Sequence, residues 1–380
     1  MSVKAYSDEE TYTNTTDQNG DYAFEVNPNV YNIEASSDDD FSKGITTIDI
    51  VIIQKYILGL KQITDPYILM AGDVNMNNKV SSSDILQLRR LILGSEDRFT
   101  NNSWIGVNAN YEFENPTHAY EEAEQATKIK VDISDGQSLS QLDFNAIKIG
   151  DMNKSHQTAE FRSSDALKFK VENRSIYKGQ SIEIPFLASD FNDIYGFQCA
   201  INIAGLENVQ LKPVAININD DNTNIKDGKL LISWDDASGI TLENDKVLFI
   251  LTAQATADGV LNNILNINDR LLRAEAYSGK ELSIRNVNID FVDYSFALYQ
   301  NQPNPFSNET AIGFDLPENG EYELKISDMT GKEIYKVRAY GKLGYNKITV
   351  KGQDILASGV YYYQLSTDNY TDTKKMVFYR

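Results

Sequence analysis

Cysteine is almost absent from this chain of 380 residues, which has a single one, Cys199. One thiol cannot form a disulfide within the chain, so other interactions have to stabilise the fold. Cys199 lies in the alternating apolar run Tyr195, Phe197, Cys199, Ile201 and Ile203. A small buried residue is expected at such a position, and we interpret Cys199 as part of a core.

Long apolar runs and positive charge are also scarce. No stretch reaches the roughly 18 apolar residues that cross a membrane. The chain has 35 Lys and Arg against 55 Asp and Glu, which gives a formal net charge of −20. A chain this acidic is not attracted to nucleic acid or to anionic lipid, and it favours cations. The sequence therefore predicts no transmembrane segment and no nucleic-acid partner.

Patterns typical of catalysis are missing as well. The sequence has no Ser-His-Asp arrangement, no HExxH motif, no glycine-rich phosphate loop and no reactive cysteine motif. Its two histidines, His118 and His156, have no partners at ligand spacing, and we expect both on the surface. These absences predict a protein that is not an enzyme.

A short acidic loop, in contrast, occurs twice, 35 positions apart. Counted from its first Asp, each copy has oxygen-bearing side chains at positions 1, 3, 5, 9 and 12, the spacing of a twelve-residue loop that binds Ca²⁺. Position 7 contributes a backbone carbonyl in such loops. The predicted ligands of the first Ca²⁺ site are Asp38, Asp40, Ser42, Gly44, Thr46 and Asp49. Those of the second are Asp73, Asn75, Asn77, Lys79, Ser81 and Asp84.

An apolar stripe with helical spacing follows each loop, and each predicted helix stops at a glycine, Gly59 or Gly94. The matching stripe residues are Ile50, Ile53 and Ile57 in the first copy and Ile85, Leu88 and Ile92 in the second. The repeat thus predicts two loop-helix units, each with one buried face.

Residues 37–99 resemble dockerin modules, in which two such loops with Asp at position 12 are each followed by a helix that ends at Gly. The resemblance implies two bound Ca²⁺ ions and a protein partner of the cohesin type. It places the partner-binding residues at Thr47, Ile48, Gln54, Lys55, Ser82, Ser83, Arg89 and Arg90. Both loops depart from the family at position 6, where Lys43 and Asn78 replace glycine.

The first 36 residues resemble the closing strands of a carboxypeptidase-regulatory-like domain, through the passage TYTNTTDQNGDYAFEVNPNVYNIEAS. Alternation predicts one strand through Tyr22, Phe24 and Val26 and another through Tyr31 and Ile33. Only the last part of such a sandwich is present. Either the natural chain starts further upstream, or another segment supplies the missing strands.

Residues 100–162 read as a connecting segment of β and irregular structure. Within it, residues 149–153 (IGDMN) echo residues 71–75 (AGDVN) of the second loop. Position 12 of a third loop would be Arg162, so we expect an ordinary Asx turn at Asp151 and no complete site.

Residues 163–293 contain alternating apolar runs separated by turn residues, which is typical of a two-sheet sandwich or jelly roll. The passages IPFLASDFNDIYGFQCAINIAGL and KLLISWDDASGITLENDKVLFILTAQA resemble cohesin modules, the sandwich partners of dockerins. Trp234 and Phe249 are expected in the core of this sandwich.

Residues 294–380 closely resemble the type A C-terminal sorting domain of the type IX secretion system. The resemblance is carried by the PNPF segment at 303–306, by Thr310, by DMTGK at 328–332, by GVY at 359–361 and by the basic pair Lys374 and Lys375. It implies a small β-sandwich that addresses the protein to the secretion machinery and the outer-membrane surface. The N-terminus has no secretory signal pattern, so we expect the chain to be a fragment or to have an edited start.

The sequence therefore predicts a mainly β, multidomain protein with one small helical module. The expected domains are 1–36, 37–99, 100–162, 163–293 and 294–380. The expected function is calcium-dependent assembly or adhesion at the cell surface, with a cohesin- or dockerin-type partner in cis or in trans, or by head-to-tail self-association. The alternative is the accessory tail of a larger secreted carbohydrate-active enzyme or scaffold.

Overall fold

The computed structural model describes residues 1–157, 162–293, 295–355 and 357–380, with the backbone alone at 162 and 164. It forms two compact units: Met1–Val171 with Ser175–Asp290, and Glu172–Arg174 with Phe291–Arg380. The fold is mainly β with several sheets, as predicted. Residue 294 and the Arg162 side chain, on which the sequence analysis also relied, lie outside the described residues.

The helices are short. They are α1 Thr47–Ile57, α2 Pro66–Gly72, α3 Ser82–Ile92, α4 Ala123–Ala126 and α5 Leu261–Ile264. Within the described residues, none of the helices has the length and apolar character needed to cross a membrane.

The first sheet of unit 1 combines the N-terminal residues with the segment predicted as a connection. Its strands are β1 Ser2–Tyr6, β2 Thr11–Thr15, β3 Asn29–Ser37, β4 Trp104–Asn108, β5 Ile129–Ile133 and β6 Phe144–Lys148. They follow the order β2-β1-β3-β4-β6, and β5 also pairs with β3. Strands from residues 100–162 therefore complete the sheet begun by residues 1–36.

The strand predicted through Tyr22, Phe24 and Val26 does not form, since residues 21–27 are not part of the sheet. The three side chains pack against the apolar cluster of the first sheet instead of pairing along its edge. The Tyr22 hydroxyl donates a hydrogen bond to the carbonyl oxygen of Leu142. The alternation thus reports one buried face correctly, but not backbone pairing.

The helices α1 and α3 begin and end where the repeat predicts. Thr46 and Ser81 are their N-cap residues, and Gly59 and Gly94 follow with φ of 69° and 64°. Ile50, Ile53 and Leu88 are fully buried, whereas Ile57 at the end of α1 is 41% exposed. The predicted stripe is therefore buried except at Ile57, in the last turn of the first helix, and at Ile85, which is half-buried at the start of the second.

Residues 162–292 supply a nine-stranded sheet and a two-stranded ribbon. The strands are β7 Arg162–Glu172, β8 Ser175–Ile176, β9 Ser181–Ser189, β10 Ile194–Asn202, β11 Leu206–Pro213, β12 Thr223–Lys226, β13 Lys229–Ile240, β14 Val247–Ala255, β15 Gly259–Val260, β16 Glu275–Ser278 and β17 Ser283–Val292. The sheet order is β11-β14-β9-β7-β17-β16-β10-β13-β12, and β8 pairs with β15.

The large sheet folds over itself around an aromatic core. Phe169 on β7 and Phe197 on β10 are separated by two strands in the sheet, yet their ring centroids are 5.1 Å apart. Such a contact requires the two parts of the sheet to face each other, as in a sandwich. Cys199, Trp234 and Phe249 are buried in this core, which confirms those three predictions.

Unit 2 is a small sandwich of two sheets. Its strands are β18 Ala297–Leu298, β19 Glu309–Leu316, β20 Gly320–Asp328, β21 Glu333–Gly341, β22 Gly344–Lys351, β23 Gly359–Ser366 and β24 Thr371–Phe378. They form the sheets β18-β19-β22 and β21-β20-β23-β24.

Two sequence markers have structural roles in this unit. The Thr310 hydroxyl donates to the Pro303 carbonyl oxygen at 2.8 Å, which fixes the Pro-Asn-Pro entry. Asp328 accepts the Lys332 amide at 3.0 Å and closes the predicted turn between β20 and β21.

Candidate functional site: two oxygen cages and the helix surface beside them

The second acidic loop wraps its own carboxylates. Asp73, at position 1, accepts the backbone amides of Asn77 at 3.0 Å and Asn78 at 2.8 Å. Asp84, at position 12, accepts those of Asn75 at 3.1 Å and Ser81 at 2.9 Å. The two carboxylates are therefore held beside each other at the start of α3.

The backbone of this loop has a left-handed residue at position 6, where the family usually has glycine. Asn78, which replaces glycine at position 6, has φ of 62°. Asparagine tolerates the left-handed region, so the departure from the family does not prevent closure of the loop. Burial raises the pKa of Asp73 to about 6, and the negative charge of Asp84 acts in the same direction. Such crowded carboxylates are a suitable donor set for a hard cation.

In the first loop, the predicted ligands fall into a buried group and an exposed group. Thr46 and Asp49 are buried and Gly44 is half-buried, whereas Asp38, Asp40 and Ser42 are exposed. Asp38 lies 3.5 Å from the Arg98 guanidinium. The Asp40 carboxylate accepts the Ser42 hydroxyl and the Lys43 amide of its own turn. None of the contacts in the described residues joins the predicted ligands Asp38, Asp40 or Ser42 to Asp49.

Asp49 instead faces residues from much later in the chain. One carboxylate oxygen accepts the Thr46 amide at 2.9 Å, and the other accepts the Met152 amide at 2.8 Å. Asp151, which is 3% exposed, lies close enough to interact electrostatically with Asp49. Burial and the negative charge of Asp151 raise the pKa of Asp49 well above its usual range.

Asp151 and its neighbours therefore lie beside Asp49, although the spacing in the sequence predicts no complete site there. The expected Asx turn is present, since Asp151 accepts the amides of Ser155 and His156 at 3.0 and 2.9 Å. The prediction of a surface histidine is wrong for His156, whose side chain is 8% exposed and contacts Asp151. His118 is exposed, as predicted. The signal that could have revealed the site is the IGDMN echo of the second loop.

Neither cage is rich in charged ligands. Within the described part of the chain, no group of three or more His, Cys, Asp or Glu side chains is placed to hold a metal ion. Each cage contains two carboxylates, and amide, hydroxyl and carbonyl oxygens surround them. This all-oxygen set fits calcium, which accepts neutral oxygen ligands, and does not fit a metal that prefers nitrogen or sulfur.

The predicted partner-binding surface of the first copy is covered by the nine-stranded sheet of the same unit. Thr47 is fully buried, and both its amide and its hydroxyl donate to Gln198 Oε1 on β10, at 2.7 and 3.0 Å. Its hydroxyl also lies 2.7 Å from the Ser233 hydroxyl on β13. Gln198 and Ser233 are cross-strand partners, so they form one polar pair beneath the first turn of α1.

The other predicted partner-binding residues of α1 are at least half-buried. Ile48 is 5% exposed, and the Lys55 ammonium lies 3.5 Å from the centre of the Tyr195 ring. Gln54 is half-buried, and its side-chain oxygen has no hydrogen-bond partner within the described residues. A Cβ added at Gly196 would lie 3.3 Å from a Val51 methyl group. Glycine at this position therefore allows the helix and the sheet to approach closely.

The second copy contributes less to this contact. Arg89 forms an ion pair with Asp235 on β13, whose side chain is only 2% exposed. Arg90 is exposed and pairs with Glu96, while Ser82 and Ser83 face solvent. The structure thus brings Thr47, Ile48, Lys55 and Arg89 to the sheet and leaves Ser82, Ser83 and Arg90 away from it.

One continuous apolar cluster joins the helices to the sheet. It includes Ile48 and Val51 of α1 together with Ala200, Leu231 and Tyr277 of the sheet. The sequence carries a signal for this contact, because α1 reads TIDIVIIQKYI and is apolar on nearly all sides. A helix apolar all round has to be buried on more than one face.

Comparison with known families identifies two parts of the chain. Residues 36–93 match the dockerin type I domain, and residues 301–379 match the secretion system C-terminal sorting domain. The chain thus contains a dockerin type I domain and a type IX secretion C-terminal sorting domain. No curated protein sequence matches the chain.

Among solved structures, the chain is similar to PorZ, a surface component of the type IX secretion system of Porphyromonas gingivalis, with 19% identity and a TM-score of 0.17. That match covers 22% of this chain and 12% of PorZ. The Coh-OlpA–Doc918 cohesin–dockerin complex of Clostridium thermocellum is 14% identical over 34% of this chain and 100% of that chain, with a TM-score of 0.25. The type II cohesin dyad of Acetivibrio cellulolyticus ScaA is 8% identical over 54% and 90% of the two chains, with a TM-score of 0.24. Similarities of this size do not establish a shared fold.

The two domains define the class of protein. The sorting domain implies secretion to the cell surface or the extracellular space. Dockerin type I domains bind calcium. The protein is a secreted, β-rich component of cohesin–dockerin type assembly.

Proposed function

We propose that this protein is a non-catalytic, calcium-dependent assembly protein whose dockerin domain is paired in cis with a cohesin-like sandwich, residues 163–293. The observation that supports this most strongly is the environment of Thr47. A residue that the dockerin resemblance assigns to partner binding is fully buried against Gln198 and Ser233 of the same chain. The partner-binding surface of the first copy is thus already occupied.

Calcium has a defined role in this proposal. The second ion would be held by Asp73, Asn75, Asn77, Ser81, Asp84 and the Lys79 carbonyl, and the first ion by a set that includes Thr46 and Asp49. Each ion would neutralise two neighbouring carboxylates at the start of a helix. Since the unfolded chain has no preformed cage, the free energy of binding stabilises the folded helix pair.

The single thiol is not a candidate catalytic nucleophile. Burial raises the pKa of Cys199 to about 12, so the thiol stays protonated and is a poor nucleophile. The alternative that the chain is the accessory tail of a larger secreted carbohydrate-active enzyme stays a prediction. Sequencing of the gene upstream of residue 1 would test it.

The contact in cis can be distinguished from head-to-tail association by disulfide trapping. The Thr47 and Ser233 side-chain oxygens are 2.7 Å apart, so sulfur atoms at these positions would be within bonding range. The double variant Thr47→Cys with Ser233→Cys is oxidised at several protein concentrations and separated on non-reducing gels. Cys199 is buried and does not interfere.

A cross-linked monomer at every concentration is the expected result. A ladder of dimers and larger species would instead assign the contact to exchange between chains and to filament growth. Failure to cross-link in the presence of calcium would remove the Thr47 contact and, with it, the proposal. The single variants Thr47→Cys and Ser233→Cys are the matched controls.

A further inference from the structure

The turn at Asp151–His156 repeats the hydrogen bonds that side chains accept in the first half of the second acidic loop. Asp73 accepts the amides four and five positions later, and Asp151 accepts those of Ser155 and His156. Asn75 Oδ1 accepts the Asn77 amide at 3.1 Å, and Asn153 Oδ1 accepts the Ser155 amide at 2.9 Å. Met76 and Lys154, the fourth residues of the two turns, have φ of 54° and 59°. The two turns therefore match in these hydrogen bonds and in the left-handed fourth residue, but the positive φ of Asn78 at position 6 has no counterpart at His156.

At the Asp151 turn, residues around the start of α1 take the place of the second half of the Asp73–Asp84 loop. Asp84 accepts the Ser81 amide, and Asp49 accepts the Thr46 amide, both at 2.9 Å. Asp84 also accepts an amide from the first half of its own loop, at Asn75. Asp49 accepts the amide of Met152, which is one position earlier in its half-loop and 103 positions away in the chain. The same closure is thus made by two distant segments.

The two segments meet at Gly44. The Ser155 hydroxyl donates to the Gly44 carbonyl oxygen at 2.8 Å. A Cβ at Gly44 would lie 2.8 Å from Asp151 Oδ2, and the residue has φ of 77°. A residue with a side chain would therefore collide with Asp151, and glycine lets the carbonyl at position 7 reach the half-loop.

An independent observation also points to a ligand between these segments. The Thr46 hydroxyl, at position 9, is buried and lies near the Tyr277 hydroxyl and the Asp49 amide, but it makes no hydrogen bond of normal geometry within the described residues. Thr46 is only 4% exposed, so its hydroxyl is shielded from bulk solvent. Buried hydroxyl groups are normally paired, so an unpaired one destabilises the fold. Coordination of a cation by the hydroxyl oxygen would satisfy it.

We infer that the first calcium site is split: Asp151, Asn153 and Ser155 provide positions 1, 3 and 5, and Gly44, Thr46 and Asp49 provide positions 7, 9 and 12. This inference rests on the proposed calcium-dependent function and assigns its first ion to a different ligand set. Asp38, Asp40 and Ser42, which occupy positions 1, 3 and 5 by sequence, remain on the surface with their own turn and Arg98.

The split site has a structural consequence. An ion bound there joins the start of α1 to the chain just after β6, the last strand of the first sheet. The same region is fixed by Lys148, whose ammonium donates to the Asp40 carbonyl, and by the His156 imidazole, 2.5 Å from Asp151. Calcium would thus connect the helix pair to the first sheet as well as closing a loop.

The test compares equivalent positions in the two candidate half-loops. Calcium binding to the full chain is measured by calorimetry after removal of bound metal, for the wild type, Asp151→Asn with Asn153→Ala, and Asp38→Asn with Asp40→Asn. The expected stoichiometries are two ions, one ion and two ions. Loss of an ion in the Asp38 and Asp40 variant, or two ions in the Asp151 and Asn153 variant, overturns the split site.

Two further variants keep the result interpretable. Asp84→Asn should remove the other ion, and a wild-type chain that binds no calcium would overturn the proposed function itself. Should the double variant at Asp151 and Asn153 not fold, the single variants Asn153→Ala and Asp40→Ala are compared, since both occupy position 3. We expect about tenfold or greater weakening of one site for Asn153→Ala only. Equal affinities in these two variants would overturn the inference.

Discussion

The side-chain oxygen of Gln198, on β10, accepts hydrogen bonds from both the amide and the hydroxyl of Thr47 at the first turn of α1. Phe197 and Cys199, the neighbours of Gln198, point into the sandwich core, so Gln198 is on the opposite face of the strand. Every residue of β10 except Asn202 is buried, because the helix covers the face that would otherwise meet water.

Replacing Gln198 by alanine should destabilise the protein by about 1–3 kcal/mol, because the buried Thr47 amide and hydroxyl lose their acceptor. Chemical denaturation followed by tryptophan fluorescence measures the change. Gln62→Ala, at an exposed glutamine, is the control and should change stability by less than about 0.5 kcal/mol. Equal effects of the two substitutions would contradict the buried contact.

Alanine substitutions at two adjacent arginines should destabilise the protein by very different amounts. Arg89→Ala leaves the Asp235 carboxylate buried without its partner, which typically costs about 3–5 kcal/mol. Arg90→Ala breaks an exposed pair with Glu96 and should cost at most about 1 kcal/mol. The free energy of unfolding of both variants, measured in parallel, checks this order. Comparable losses would show that Asp235 finds another partner or remains hydrated.

Gly196→Ala should disrupt the contact between helix and sheet. The added methyl group would lie 2.9 Å from the Trp234 carbonyl oxygen and 3.4 Å from a Thr47 methyl group. Overpacking of this kind costs about 1–3 kcal/mol. At Gly320 nothing lies within 4 Å of an added Cβ, so Gly320→Ala is the matched control. Thermal unfolding of both variants measures the difference, and an unchanged midpoint for Gly196→Ala would contradict the close approach.

Removal of calcium should lower the unfolding temperature of unit 1 and leave that of unit 2 unchanged. At free calcium 100 times the Kd, one site stabilises the folded state by about 2.7 kcal/mol. Because α1 and the sheet share one apolar cluster, fluorescence of Trp234 in the sheet should report the shift. Scanning calorimetry with and without a chelator gives both transitions. A chelator effect confined to the helices, without change at Trp234, would contradict the shared core.

Unit 2 should lose stability in acid because of Glu323. Lys325, Arg338 and Lys336 surround this carboxylate and lower its pKa to about 2. A carboxylate whose pKa is lower in the folded state stabilises the fold above its unfolded pKa and loses this effect as pH falls towards 2. The stability of unit 2 should therefore decline between about pH 4.5 and pH 2.

Substitution isolates this contribution. Glu323→Gln should flatten the acid dependence, which thermal unfolding over a pH series would record. Glu321→Gln removes an exposed carboxylate of the same strand and should leave the dependence as in the wild type. A flat profile in the wild type would contradict the assignment to Glu323.

Local patterns predicted much of the second cage and of the helices. Positions 1 to 12 of that cage lie within one stretch, Asp73 to Asp84, so spacing alone brings its oxygens together. Gly59 and Gly94 end the helices through local backbone geometry. The run through Tyr22 misled because alternation reports a buried face and does not specify a hydrogen-bonded neighbour.

The sequence by itself determined the second acidic loop, the two repeated helices and the sorting sandwich, since each depends on residues close together in the chain. Only the tertiary structure decided that Asp49 meets Asp151 and that Thr47 is buried under β10. Both contacts join segments more than a hundred positions apart, and their geometry depends on how two sheets and a helix pair pack. Spacing within a loop carries no information about such packing.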